Sequence, residues 1–410
     1  MAEDLHTKLE KYANLIVTTG VNVQPGQTVV LTIGIEQQEL AHLIVAAAYQ
    51  AGAADVIVKW QDDFLMRQFI AHASADRLTN IPDYIKSEAQ YIADKRAARI
   101  SVISSDPEAL VGLDNQRIAA HQKAMSLAKR PMMKATTDND LTWTVVAAAS
   151  APWATKVFPE LDETAAVAKL WEEIFTTTRI NTPDPVAAWD QHDQVLHEKA
   201  AWLNREQFTA LHYTSPVTDL TIGLPKNHNW EGASSLDAAG TRFFANMPTE
   251  EVFTAPDFRR VNGYVSATKP LNYGGTVLRD LRFEFKDGRV VKATASSGQE
   301  VIDHLLDSDD SARFLGEVAL VPDPSPISQS KITFLETLFD ENASNHLALG
   351  EAYSFSIQGG TKMSEEELRA HGINTSHTHV DFMVGSADMN IDGIKADGTV
   401  VPVFRNGDWA

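Results

Sequence analysis

The stretch Q-T-V-V-L-T-I at residues 27–33 follows a Pro-Gly turn and has the apolar, β-branched composition of a buried strand. An apolar pattern with helical spacing follows over residues 36–51 and ends at Gly52. The run D-V-I-V-K-W at residues 55–60 is typical of a second strand. This strand–helix–strand order predicts parallel strands with helices packed on the faces of their sheet.

The same alternation continues towards the middle of the chain. Residues 99–104 and 141–149 read as further strands, and residues 114–128 between them have a helical pattern. The run N-T-P-D-P at residues 181–185 then interrupts the pattern, because proline stops one helix and starts another. We therefore predict an N-terminal α/β domain with a mostly parallel sheet over residues 1–183.

The second half of the chain has a different pattern of predicted helices and strands. A long polar helix is predicted from residue 186 to about residue 204, and short strands bounded by turns follow it. The clearest of these joins residues 281–285 to residues 289–294 through Asp287-Gly288, a strong hairpin signal. These patterns predict an α+β C-terminal domain, residues 184–410, that is rich in antiparallel strands. Other strands are predicted at residues 211–213, 219–222 and 263–268.

The composition of the chain excludes several classes of function. The 410-residue chain carries a formal net charge of −20, which argues against binding to nucleic acid or to an anionic membrane. It contains no cysteine, so any metal would be held by carboxylates and imidazoles. We see no signal peptide and no apolar run of 18 residues, so a cytoplasmic location is expected. Glycine-rich phosphate loops, the G-x-S-x-G elbow and the H-E-x-x-H motif are all missing from the sequence.

The segment H-T-H-V-D at residues 377–381 is the first candidate for chemistry. In a strand, His379 and Asp381 point to the same face, as two ligands of one divalent cation would. His377 shares that face. The alternative is a buried histidine that is hydrogen-bonded to the neighbouring aspartate.

Two further segments contain histidine, tyrosine or isolated acids. His346 and Tyr353 are seven residues apart, which on a helix places them on one face; the alternative is an amphipathic helix rim. Glu317 opens the apolar run L-G-E-V-A-L-V-P, so we expect it to be buried and to need a cation or a hydrogen-bond partner.

An acid pair lies in N-M-P-T-E-E-V-F-T-A-P at residues 246–256. Neighbouring residues of a strand face opposite ways, so only one of Glu250 and Glu251 can point into a shared site. An exposed acidic turn is the alternative.

Read together, these segments closely resemble the aminopeptidase T/aminopeptidase S family of metallopeptidases, also called thermophilic metalloproteases. The motifs N-M-P-T-E-E-V-F-T-A-P, L-G-E-V-A-L-V-P, L-F-D-E-N-A-S-N-H-L-A-L-G and H-V-D-F-M-V-G-S occur in the expected order, and the resemblance runs over the whole chain. It implies a C-terminal domain that carries a metal site. It also implies a homodimer and broad hydrolysis of peptides from a free N-terminus, often with a leucine-like first residue.

The resemblance also implies the residues of the site. Glu317 matches the ligand that reaches both metals, and Tyr353 matches the family's active-site tyrosine. His377 falls outside the H-V-D pattern and is expected not to be a ligand. The implied metal ligands are Glu251, Glu317, His346, His379 and Asp381.

Three carboxylates and two imidazoles are too many for one tetrahedral site, so we expect two ions, roughly 3.5–4 Å apart, bridged by Glu317. A water between the ions would attack the first peptide bond, and Tyr353 would stabilise the oxyanion. Glu250 is a weaker candidate for a base or an amine anchor. The ligand set suits zinc, cobalt or manganese. Two alternatives stay open: a dinuclear amidase or esterase of other specificity, and a non-catalytic peptide-binding protein of the same fold.

Overall fold

The computed structural model describes residues 4–274 and 276–410. Short π and 3₁₀ turns at Ile16–Gly20, Ser354–Ser356 and Gly360–Lys362 accompany the α-helices. In chain order, the helices are α1 (Leu5–Leu15), α2 (Gln38–Gln50), α3 (Asp63–His72), α4 (Ala75–Thr79), α5 (Asp83–Lys95), α6 (Asn115–Ala128), α7 (Arg130–Thr137), α8 (Ala151–Val157), α9 (Glu163–Thr177), α10 (Pro185–Glu206), α11 (Gln299–Leu306), α12 (Pro326–Ser330), α13 (Thr337–Glu341) and α14 (Glu365–Ala370).

The strands are shorter and more frequent in the second half of the chain. They are β1 (Thr28–Gly34), β2 (Asp55–Gln61), β3 (Ala98–Ile103), β4 (Trp143–Ala147), β5 (Ala210–Ser215), β6 (Thr218–Gly223), β7 (Glu231–Gly232), β8 (Ser234–Leu236), β9 (Arg242–Phe244), β10 (Val252–Thr254), β11 (Val261–Ser266), β12 (Leu271–Tyr273), β13 (Thr276–Leu278), β14 (Arg282–Lys286), β15 (Arg289–Thr294), β16 (Leu315–Leu320), β17 (His346–Gly350), β18 (His379–Met383), β19 (Asn390–Ile394), β20 (Val400–Arg405) and β21 (Asp408–Trp409).

The chain divides into two compact units. The first comprises the described residues up to Asp193 together with Ala233–Thr249, and the second comprises Gln194–Gly232 and Glu250–Ala410. The change of unit thus falls within α10, and a short insertion of the later sequence joins the first unit. The predicted domain boundary near residue 183 stays a prediction.

A parallel sheet with the strand order β2-β1-β3-β4 forms the centre of the first unit. The run T-V-V-L-T-I-G is central in this sheet, which explains its nearly continuous apolar character. Helices α5 and α7 cover one face, where Val30, Ile92 and Leu141 pack in a common core. The predicted α/β architecture is therefore confirmed.

Antiparallel strands dominate the second unit, as predicted. One sheet has the strand order β15-β14-β11-β6-β5-β19-β20-β21, and another has the order β18-β17-β16-β10-β7. Asp287 and Gly288 form the predicted hairpin turn between β14 and β15, both with positive φ, the conformation of a two-residue type I′ loop. Among the described residues, no helix combines the length and the apolar character needed to cross a membrane.

The five-stranded sheet has two unlike faces. One face packs in the core, where the rings of Phe382 on β18 and Phe283 on β14 lie 4.8 Å apart. Side chains alternate along a strand, so the neighbours of Phe382 on β18 project from the other face. That second face carries carboxylates and imidazoles.

Gly350 ends β17 opposite His379 and allows strands β17 and β18 to approach each other closely. Its φ is +104°, and a Cβ atom built there would lie 2.0 Å from the carbonyl oxygen of Thr378. A side chain at this position would therefore both strain the backbone and displace the start of β18.

We expect Gly350→Ala to lower the free energy of unfolding by at least about 2 kcal/mol, because backbone strain and a steric clash add. Gly359→Ala is the matched control, since Gly359 has a φ of +78° but a Cβ atom added to it would meet no other atom within 4 Å. Its expected cost is about 1 kcal/mol, from the backbone alone. Urea denaturation measures both; equal losses would show that the contact with Thr378 is not the constraint described.

Candidate metal centre

The register of the five-stranded sheet places acids and imidazoles on one face. Ala348 of β17 lies between Glu317 of β16 and Asp381 of β18. Directly opposed residues of antiparallel strands share a face, so the two acids project to the same side across an alanine. The small side chain between them leaves space above the sheet.

The cross-strand pairs on either side of this row add two histidines to the same face. His346 of β17 is paired with Ala319 of β16, and His379 of β18 is paired with Gly350. Both histidines are an even number of residues from an acid or alanine of the first row, so they share its face. A small residue thus lies opposite each imidazole, as Ala348 lies between the two acids.

Glu317 occupies the centre of this group, and its two oxygens face different partners. Oε1 lies 3.5 Å from Nε2 of His346, while Oε2 lies 3.5 Å from Nε2 of His379. Glu251 Oε2 lies 2.9 Å from the same nitrogen of His346, and Asp381 Oδ1 lies 3.4 Å from that of His379. Two triads result, each with ligand atoms within 4.8 Å of one another: Glu251, Glu317 and His346, and Glu317, His379 and Asp381.

Both imidazoles are oriented by carbonyl groups, which can only accept hydrogen bonds. Nδ1 of His346 lies 3.0 Å from the carbonyl oxygens of Glu341 and Ser344, and Nδ1 of His379 lies 2.7 Å from that of Glu351. The proton therefore belongs on Nδ1, and a neutral ring presents the Nε2 lone pair to the carboxylates. This is the arrangement in which proteins hold metal-binding histidines.

Two carboxylate oxygens at the centre are buried without a hydrogen-bond partner among the described residues, Oε2 of Glu251 and Oδ1 of Asp381. Buried charged oxygens are costly unless they are paired or bind a cation. These two atoms point towards Nε2 of His346 and of His379, so a divalent cation between each carboxylate and imidazole would compensate them, as a proton on each imidazole does without a cation.

Glu341, which the sequence analysis did not single out, belongs to the same group. It ends α13, is 8% exposed, and lies close enough to Asp381, His346 and Glu251 to interact electrostatically. Burial, followed by the neighbouring Asp381 carboxylate, raises its pKa well above the ordinary value. The only sequence signal is the acid pair Asp340-Glu341 within the motif L-F-D-E-N-A-S-N-H-L-A-L-G.

The pKa values reflect how strongly acidic this centre is without a cation. Burial lowers the pKa of His379, but Asp381 and Glu317 outweigh that effect and raise it to about 10. The pKa of His346 is also raised well above the ordinary value, because Glu251 and Glu317 outweigh burial. Burial is the main cause of the raised pKa of Glu317. Protons thus occupy the centre when no metal is bound, and the binding of cations would release them.

Tyr353 lies beside the centre, although the helix predicted for it is wrong. The motif forms the end of α13, strand β17 and an extended Tyr353, because β17 pairs with β16 and β18. Tertiary pairing has overridden a helical spacing. The tyrosine ring is 5.4 Å from that of His379, and burial and then Glu317 raise its pKa well above the ordinary value, so it keeps its proton.

The remaining candidates lie outside both triads. His377 is exposed, and its backbone N–H donates to Asp309. Glu250 is buried, and its backbone N–H donates to Oδ1 of Asn342 at 2.8 Å. The other end of the Asn342 amide donates to the carbonyl of Leu338. Asn342 therefore connects the segment of Glu251 with the helix of Glu341.

Fold and site together define a two-unit α/β and α+β protein with a buried carboxylate–imidazole cluster that could hold metal ions. The family model of the thermophilic metalloproteases (M29) matches residues 5–409, and the chain belongs to this family. The predicted family and the predicted class of enzyme, a metal-dependent peptidase, are confirmed.

Curated relatives match over nearly their whole length. Aminopeptidase PepS of Streptococcus thermophilus is 56% identical over 98% of this chain and 97% of the relative, and aminopeptidase AmpS of Bacillus subtilis is 51% identical over 98% of both chains. The solved structure of wild-type AmpT from Thermus thermophilus matches with a TM-score of 0.92 and 41% identity, covering 99% of this chain and 100% of that one. This structural match also supports the fold described above.

We expect Asn342→Ala to weaken metal binding by roughly 10- to 100-fold, the usual effect of losing a residue that orients ligands. The reason is that Asn342 is 0% exposed and joins the segments of Glu251 and Glu341. Titration of the metal-free protein with cobalt, followed by calorimetry, measures the change.

Asn204→Ala is the matched control, because Asn204 also makes two hydrogen bonds to backbone, both to Trp230, but contacts no residue of the centre. Unchanged cobalt affinity in both variants would contradict a positioning role for Asn342.

Proposed function

We propose that this protein is a metal-dependent aminopeptidase whose centre holds two divalent cations. The main observation behind the proposal is that the two carboxylate oxygens of Glu317 each face a different histidine. A carboxylate placed in this way is suited to bridge two ions. The names of the relatives, PepS and AmpS, support an aminopeptidase rather than an endopeptidase.

Charge supports two ions rather than one. Four carboxylates, those of Glu251, Glu317, Glu341 and Asp381, surround the two imidazoles, and their four negative charges equal the charge of two divalent cations. A single ion would leave an excess of buried negative charge, which is costly. We propose Glu251, Glu317, His346, His379 and Asp381 as the ligands, with Glu341 as a further oxygen donor.

When bound, such a pair of ions supplies an acidified water as nucleophile and polarises the carbonyl of the first peptide bond. The ligand set of oxygen and imidazole nitrogen suits zinc, cobalt or manganese. The chain's own residues hold the imidazoles in the lone-pair tautomer through the carbonyls of Glu341, Ser344 and Glu351. The predicted homodimer and cytoplasmic location stay predictions.

Tyr353 is the proposed donor to the oxyanion. Its raised pKa keeps the phenol protonated at neutral pH, which is the state required for donation. A well-aimed donor of this kind contributes roughly 3 kcal/mol to transition-state stabilisation. Glu317 would hold both ions through its two oxygens, each of which faces a different histidine.

We expect the protein, supplied with cobalt, zinc or manganese, to hydrolyse leucine p-nitroanilide but not its N-acetyl derivative, because an aminopeptidase requires a free amine. Chelation should abolish turnover, and added metal should restore it. Cleavage of both substrates alike would favour an amidase of other specificity, and no cleavage of any aminoacyl anilide would favour a non-catalytic peptide-binding protein.

Glu317→Ala and His379→Ala should each lower kcat/KM by more than about 100-fold while the protein stays folded, since a lost ligand costs more than a lost outer partner. His377→Ala is the matched control, two residues from His379 but exposed and outside both triads. Full turnover in the Glu317 and His379 variants would show that the proposed centre is wrong.

A further inference from the structure

The face of the five-stranded sheet that carries the metal centre continues beyond it. Phe253 of β10 is paired with Ala319 on one side and with Glu231 of β7 on the other. Ala319 is itself opposite His346. Glu231, Phe253 and His346 therefore share one face, with Glu231 on the edge strand.

Distance along this face can be read from the strand order. β7 is two strands away from β16, which carries Glu317. Neighbouring strands lie about 4.8 Å apart, so the edge strand is roughly 10 Å from the strand of the bridging ligand. Phe253 lies between them.

Three aromatic rings cover the interval. Phe253 lies 5.8 Å from Tyr353 and 6.1 Å from Phe355, while Tyr353 and Phe355 stack at 5.1 Å. All three side chains are only partly buried, although aromatic residues of a closed core would be fully covered. Because the Tyr353 ring also contacts the ring of His379, this aromatic wall extends from the metal centre towards Glu231.

Glu231 is held at the far end of the aromatic wall. Its carboxylate accepts a hydrogen bond from the side-chain amide of Asn229, whose amide also lies 3.4 Å from the Phe355 carbonyl oxygen. The neutral amide orients the carboxylate without neutralising it. Burial raises the pKa of Glu231 overall, while the hydrogen bond from Asn229 and then the imidazole of His197 on α10 favour its charged form.

We propose that Glu231 selects a basic side chain on the first residue of the peptide substrate. This inference rests on the aminopeptidase function proposed above. The apolar stem of a lysine or arginine lies along Phe253 and its neighbours, and the charged head binds the carboxylate of Glu231. A leucine side chain in the same place contacts the aromatic wall but ends before Glu231.

The aromatic wall and the Glu231 carboxylate follow each other in the same order as the apolar stem and the charged head of a basic side chain. Lysine and arginine carry an apolar stem that packs on apolar surface and a charged head that stays polar. Aromatic faces attract the cation as well as the stem. A carboxylate in a partly buried position binds the head more strongly than an exposed one does.

The test compares kcat/KM for arginine p-nitroanilide with that for leucine p-nitroanilide. We expect Glu231→Gln to lower the arginine-to-leucine ratio at least 10-fold, because glutamine keeps the size but loses the charge. Glu231→Asp should keep most of the ratio. Glu366→Gln, on the exposed side of α14, is the control and should leave the ratio unchanged.

A binding measurement separates this proposal from the proposed function. Calorimetry with L-argininol and L-leucinol, which keep the free amine and the side chain but have no amide bond to cleave, reports selection without turnover in the protein loaded with cobalt. Weaker binding of L-argininol alone in Glu231→Gln supports the proposal even if no anilide is cleaved; failure to cleave any anilide would instead count against the aminopeptidase. An unchanged arginine-to-leucine ratio, in turnover and in binding, or an equal loss for both compounds, overturns the proposal.

Discussion

The second unit buries several carboxylates next to one another, and their repulsion is the constraint that the rest of its structure must satisfy. Glu317 is 5% exposed and faces both histidines, with Glu251 and Asp381 beside it. Such a cluster is unfavourable unless positive charge enters it, as protons or as metal ions. The raised pKa of His379, about 10, shows how strongly the centre holds protons when no metal is bound. Metal binding and the stability of this sheet are therefore linked, because each bound cation removes repulsion from the folded state.

The sheet accommodates the neighbouring carboxylates by placing small residues beside them and by holding the imidazoles in fixed orientations. Ala348 lies between Glu317 and Asp381, and Ala319 and Gly350 lie opposite the two histidines, so the charged groups have space above the backbone. Carbonyl acceptors set the tautomer of each imidazole from the opposite side. The same face then runs through aromatic rings to the edge strand, so that chemistry and side-chain selection share one rigid surface. Sites on strands are held more exactly in place than sites on loops.

Much of this could be predicted from the sequence, and the exceptions have physical causes. The central strand β1 and the Asp287-Gly288 hairpin follow from local apolar patterns and turn chemistry, which do not depend on distant residues. The burial of Glu317 followed from its apolar neighbours. The spacing of His346 and Tyr353 predicts a helix where the structure has strand β17 and extended backbone, because that strand is stabilised by pairing with distant segments. Glu341 was missed for a related reason: a helix end brings it to the centre, and no periodicity of its own segment shows this. The ligand roles themselves came from motif resemblance, since sequence spacing does not show which distant residues meet.

The most direct test of the central claim is anomalous diffraction at the metal absorption edge from crystals grown with zinc or cobalt. The account predicts two peaks, one on each side of Glu317, the first next to Glu251 and His346 and the second next to His379 and Asp381. A single peak, or peaks away from Glu317, would contradict a bridging carboxylate and with it the proposed chemistry.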